Sequence, residues 1–286
     1  MTMRMSPSCA VRGAIGHRLV LAVALLAAMA VRGEEAYSFA IVPQFDQRKL
    51  FAIWKPVAEQ LEARTGLKLE LVGSAGVSEF ERRLGAGEFD FAYTNPYLIL
   101  KERERQGYIP LVRDATPLRG ILVVAKDGPI HEVSELDGKL LAVPSPNALG
   151  ASLLLRAELE RLHHVTMRML DVKSHSSVYL HVASGLAEAG GGVEKTFQGQ
   201  TPTVRERLRI IYTTAEMPSH PVAAHPRVPE KDREKMRRAL LELATTTPGL
   251  ALLSAIPMTR PVAASLDDYQ VMAGWHLERL WVEGAQ

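Results

Sequence analysis

The sequence predicts an α/β protein built as two lobes, each a mainly parallel sheet flanked by helices. Three observations lead there. Short apolar strands alternate with amphipathic helices along most of the chain, the pattern of parallel sheets. The strands are too many for one ordinary sheet. The C-terminal helical segments have no partner strands, which two lobes joined by chain crossovers would explain.

The elements follow in order. Phe39–Pro43 reads as a strand; Leu50, Trp54, Val57 and Leu61 then fall on one helical stripe that stops at Gly66. Leu67, Leu69 and Leu71 alternate as in a strand. Ser78 and Glu81 fit a capping box for a short helix ending near Gly85. Phe89–Tyr93 is a strand, after which Asn95 can cap a helix with Pro96 at its first position. Further strands are expected at 109–113, 120–125, 140–143, 166–172, 208–213 and 220–225, with a short helix at 176–183. Helical segments at 230–246, 248–255 and 266–282 close the chain, the last with Tyr269, Met272, Trp275 and Leu280 on one stripe.

The first 33 residues differ from the rest. Arg12, His17 and Arg18 precede the apolar run Leu19–Ala30, which is too short to span a bilayer. Basic residues, a short apolar core and small residues at Ala28 and Ala30 predict a cleaved secretory signal, cut after Ala30 or after Gly33, and hence a periplasmic protein. Cys9 is the sole cysteine and lies before that run, so no lipid anchor, disulfide or thiol chemistry is expected in the mature chain. Four of the 34 basic residues precede position 34, leaving 30 against 32 acidic, a balance that argues against a nucleic-acid surface.

The order and spacing of several segments carry a resemblance. FAIVPQFDQRKLFAIWKPVAEQLEARTG, GEFDFAYTNPYLIL, PLRGILVVAKDGPIHEVSELDGKLLAVPSP, KSHSSVYLHVASGLAEAGGGVEKTF and MPSHPVAAHPRVP together resemble periplasmic solute-binding proteins of the phosphate/phosphite/phosphonate ABC transporter group. The resemblance implies the two-lobed type II periplasmic binding fold. One lobe would be 35–122 with 219–286, the other 123–218, with a cleft between them for a small oxyanion. It also implies capture and not catalysis, no cofactor, a monomer, and a membrane partner that is either an ABC permease or a sensor kinase.

Candidate ligand residues come from the loops that would face that cleft. The strand-to-helix loop at 140–155 offers backbone N–H groups at a helix start, a good oxyanion cradle. The related proteins usually place a Ser-Thr-Ser-Gly run there; this chain has Ser145, Asn147, Ala148, Leu149 and Gly150. Asn147 is expected either to meet the ligand or to cap the helix. The poorer set of hydroxyls points to a smaller or less charged ligand: phosphite, an alkylphosphonate, or another oxyanion such as arsenite. Tyr93, Thr94 and Asn95 bring donors at the end of a strand, and the resemblance adds Gln44 and His175. Gly191, within Gly190–Gly192, is expected to let backbone approach the ligand, and Glu194 to accept a hydrogen bond from a protonated oxygen. The histidines at 163, 164, 175, 181, 220 and 225 form no compact ligand set, so no metal site is expected. No Gly-x-Ser-x-Gly elbow or phosphate-binding glycine loop points to an enzyme.

Overall fold

The computed structural model describes residues 1–2 and 36–283, and the folded body starts at Tyr37. The expected signal lies outside the described residues apart from its first two. Strands β1 (Tyr37–Ile41), β2 (Leu69–Val72), β3 (Phe91–Tyr93), β4 (Ile109–Asp114), β10 (Pro221–Ala224) and β11 (Pro261–Ala263) form a six-stranded sheet in the order β11-β4-β10-β3-β1-β2. Strands β5 (Leu118–Ala125), β6 (Leu140–Val143), β7 (Arg168–Asp171), β8 (Ala189–Val193) and β9 (Leu208–Met217) form a second sheet in the order β7-β6-β8-β5-β9.

The sheets are mixed rather than mainly parallel. In the first, β1 pairs parallel with β2 and β3, but β10 lies antiparallel to β3 and β4. In the second, β6 pairs parallel with β7 and β8, while β5 lies antiparallel to β8 and β9. The antiparallel strands are those next to the crossings between sheets. Leu118 of β5 already pairs with Met217, so the chain leaves the first sheet between Asp114 and Leu118. A lobe boundary at 122/123 would cut β5 in two.

The helices form where the pattern places them. Helix α1 (Gln47–Thr65) starts on Asp46, whose carboxylate accepts from Lys49 N, and ends at Gly66 with φ of 72°, a left-handed position that suits glycine. It buries Leu50, Trp54, Val57 and Leu61. Helix α2 (Val77–Gly85) follows β2, and α3 (Pro96–Lys101) follows β3 with Asn95 as its cap. After β6, residues 149–163 form one helix, α4, with π turns at Leu149–Leu153 and Leu159–His163 around an α-helical turn, Leu154–Glu158. Leu149, Leu153, Leu154 and Ala157 of α4 are buried in the same apolar cluster as Phe39, Trp54 and Ile99 of the first sheet's side. Helix α5 (His175–Ala183) follows β7, capped by Ser174.

The single helix expected at 266–282 is three short turns, Asp267–Gln270, Val271–Trp275 and Leu277–Leu280. His276, at φ of 51°, adopts a left-handed conformation that breaks the helical path. Tyr269, Met272 and Leu277 are still fully buried, whereas Trp275 and Leu280 are only partly so.

Candidate functional site

Loops from both sheets converge on one cavity. Val42, Pro43 and Gln44 follow β1; Asn95 and Pro96 follow β3; residues 148–151 follow β6; His175 follows β7; Val193 ends β8. Leu118, Met217 and His220 line it from the two crossings between sheets. Strand carboxyl ends and helix starts are where α/β sheets bind ligands. The cavity is small, about 30 Å³, space for about two water-sized groups.

Among the described residues, no charged side chain lines this cavity. Its titratable groups are two histidines, His175 buried and His220 half-buried. Burial lowers His175 to about 4, and burial together with the nearby His175 and Lys195 lowers His220 to about 3, so both are neutral at ordinary pH. Lys195 is held by Asp114, at 3.1 Å, and by the Pro257 carbonyl.

A hydrogen bond assigns one imidazole proton. Gln44 Nε2 lies 3.2 Å from His220 Nε2, which accepts, so the proton sits on His220 Nδ1. That atom is buried and has no hydrogen-bond partner among the described residues, and the same holds for Thr94 Oγ1. His175 Nδ1 lies 3.3 Å from Thr196 Oγ1, whose hydroxyl also reaches the Val193 carbonyl at 2.9 Å and the Tyr179 hydroxyl at 2.8 Å. The start of α4 adds donors. Ser152 N and Leu153 N both reach the Ala148 carbonyl, which leaves the N–H groups of Leu149, Gly150 and Ala151 outside the helical ladder, with the positive end of the helix dipole behind them.

Several expected residues therefore come together: Gln44, Asn95, Ala148, Leu149, Gly150 and His175 all line the cavity. Tyr93 does not line it but stacks on His220 with ring centroids 5.4 Å apart. Burial and Asp114 push its phenol well above the usual range, so it stays protonated. Thr94 is fully buried beside it, its N–H bound to the Pro221 carbonyl. Ser145 shapes the loop, its hydroxyl accepting from Asn147 N.

Three expectations need correction. The Asn147 side chain turns away from the cavity and bonds Glu81 and the backbone of Val282. Gly191 is not at a ligand. It belongs to β8, where a Cβ would collide with the Ala151 carbonyl oxygen of α4, while one on Gly190 would lie 2.7 Å from Val178. The glycines let helices lie directly on the sheet. Glu194 is exposed and faces a separate surface groove with Lys49 and Arg119, so it supplies no acceptor at the cavity.

His220 is a polar cavity residue that the sequence did not mark as a ligand contact. The sequence shows it only as the first residue of an expected strand; its pairing with Gln44 spans 176 positions.

The comparisons agree with this architecture. The fold is similar to a binding protein component of an ABC phosphonate transporter from Pseudomonas aeruginosa, with TM-score 0.79, 14% identity, and coverage of 87% of this chain and 88% of that one. It is similar to PhnD1 from Prochlorococcus marinus, solved with methylphosphonate, with TM-score 0.78, 13% identity, and coverage of 86% and 99%. It is also similar to the periplasmic VFT2 domain of BvgS from Bordetella pertussis, with TM-score 0.53, 22% identity, and coverage of 83% and 98%. These structures share the two-lobed type II periplasmic binding fold. The family model for the phosphonate periplasmic substrate-binding protein of ABC transporters matches residues 39–269, and the chain belongs to that family.

Proposed function

We propose that this protein is secreted by its cleaved N-terminal signal and captures a small, singly charged phosphorus oxyanion that keeps one proton, of the phosphite or short alkylphosphonate class, for an ABC importer. The lobes are taken as 37–114 with 221–283, and 118–217. The observation that carries this reading is the cavity's lining: N–H donors at α4 and His220, the neutral imidazole of His175, which we take as an acceptor, and no cation among the described residues lining it. A protonated oxyanion supplies both acceptors and one donor. A dianion would lose its hydration with no counter-charge to replace it. The apolar surfaces of Val42, Leu118, Val193 and Met217 suit a P–H or P–CH₃ group. Capture needs no bond-making residue, and none is assigned.

The test is thermal unfolding of residues 34–286 with phosphite, hypophosphite, methylphosphonate, phosphate and sulfate at pH 5.5 and pH 8. Second ionisations of such acids fall between these two pH values, that of a phosphate ester being about 6, while His175 stays neutral at both. A ligand at a hundredfold excess over Kd adds about 2.7 kcal/mol, a shift of a few degrees. Phosphite or methylphosphonate should shift the midpoint more at pH 5.5, and His175→Leu should abolish the shift. A flat panel, or a larger shift with sulfate, overturns the reading. The fold shared with the BvgS domain favours a second reading, a sensor beside a membrane kinase. Ligand-dependent stimulation of a reconstituted permease would support transport, and its absence would favour sensing.

A further inference from the structure

The two lobes also meet on a flank of the cavity that the capture reading does not use. Past Leu277, buried in the first apolar cluster, residues 277–283 run back across α3 and α4. Trp281 packs on Tyr97 of α3, ring centroids 6.0 Å apart, with Lys101 Nζ 4.6 Å from its centroid. These contacts tie the segment to the first lobe.

Apart from Glu283, which pairs with Lys101 of α3 at 3.2 Å, its other bonds go to the second lobe. Asn147 Oδ1 accepts from Val282 N at 2.9 Å, and Asn147 Nδ2 donates to the Val282 carbonyl at 3.0 Å and to Glu81 Oε2 of α2 at 3.2 Å. Arg156 of α4 donates to the Leu280 carbonyl at 2.9 Å and to the Pro146 carbonyl at 3.0 Å. Asn147 and Arg156 are the loop and the helix that present the cradle N–H groups. Separating the lobes would break each of these bonds except that from Arg156 to Pro146, which lies within the second lobe, and none of them touches the cavity.

We propose that residues 277–283, Asn147 and Arg156 form a clasp that holds the lobes together from outside the cavity and so positions the cradle at the start of α4. Asn147 is then a positioning residue. The inference shares the two-lobed capture reading but none of its ligand chemistry. It implies that the mature protein is largely closed before any solute arrives.

The test is small-angle X-ray scattering of ligand-free residues 34–286, of the same chain ending at Arg279, and of Asn147→Ala, with circular dichroism to confirm folding. The full chain should scatter as the closed form. Both variants should show a larger radius of gyration and a profile fitted by separated lobes. A full chain that already scatters as an open form overturns the proposal, and so does a variant that melts earlier with an unchanged profile, because that is stability without positioning. Asn147→Ala keeps the whole segment, so misfolding of the shortened chain leaves the question answerable. No ligand is present, so either result is independent of the solute assignment.

Discussion

The cavity and the clasp lie on the same interface and handle polarity in opposite ways. The cavity joins neutral imidazoles, two carboxamides and helix N–H groups, with apolar walls between them. The flanking groove brings Glu81, Arg82, Lys101, Glu102 and Arg105 together around Asn147 and Trp281. Charges at the flank find one another: Glu102 meets Arg105 at 3.5 Å, and Lys101 meets Glu283 at 3.2 Å. A charge in the cavity would have no such partner. The difference suggests a division of work, in which the flank holds the closed form and the cavity selects by donor and acceptor pattern rather than by attraction between opposite charges.

The largest expected effect tests whether the β8 glycines belong to either region. Gly191→Val drives a side chain into the Ala151 carbonyl of α4 and should cost about 3 kcal/mol or more in urea unfolding. A tolerated valine would restore a loop-like, ligand-facing role. Next, Asn147→Asp removes the donors to Glu81 and to the Val282 carbonyl and adds a second carboxyl beside the first. It should destabilise the fold by about 2 kcal/mol, measured the same way. A neutral effect would mean that the flank carries little of the closure.

The third prediction is a pH profile. Burial, reinforced by Asp171 and opposed by the Asn147 hydrogen bond and Lys101, raises Glu81 to about 8. The fold therefore keeps a proton that the unfolded chain releases above its ordinary value of 4.5. This contribution is complete below that value and is lost as pH rises to about 8. His175 and His220 act in the other direction. Their folded values of about 4 and about 3 lie below 6.5, so the fold loses stability as pH falls below 6.5. Stability should peak near pH 6.5 and fall above it by about 1 kcal/mol per pH unit. Glu81→Gln should flatten the alkaline side and steepen the acid side between about pH 4.5 and 6.5; an unchanged profile would place that slope elsewhere. The smallest expected stability change is that of His220→Phe. The ring can keep its stack on Tyr93 while the unpaired Nδ1 is removed, so unfolding should change by less than about 1 kcal/mol while any solute-induced thermal shift disappears. A large loss of stability would make His220 a structural residue first.

Much of the fold was legible because its signals are local. The stripe of Leu50, Trp54, Val57 and Leu61, the Asn95-Pro96 cap and the apolar run at 140–143 each need only their neighbours, and each forms the expected element. The cradle was legible for the same reason, as a strand that runs into a helix start. What could not be read depends on distant partners. Asn147 looked like a ligand contact or a cap because nothing nearby in sequence shows Val282, 135 positions away. Gly190–Gly192 read as a place where backbone approaches a ligand because the crowding that requires glycine comes from α4 and α5. Glu194 sits beside the end of a cavity strand, but the next helix begins there and turns it outward. His220 gains its meaning only when the returning chain sets it against Gln44.

The stack of rings beside the cavity has an optical consequence. Trp54, 1% exposed, lies 4.9 Å from Tyr93, which in turn covers His220. Trp281 sits on the clasp and is partly open to solvent. With three tryptophans in the chain, replacing Trp275 by Phe leaves one native fluorophore at each place. Iodide will reach Trp281 and not Trp54, so a single emission spectrum can follow solute entry and lobe release as separate signals, without any added label.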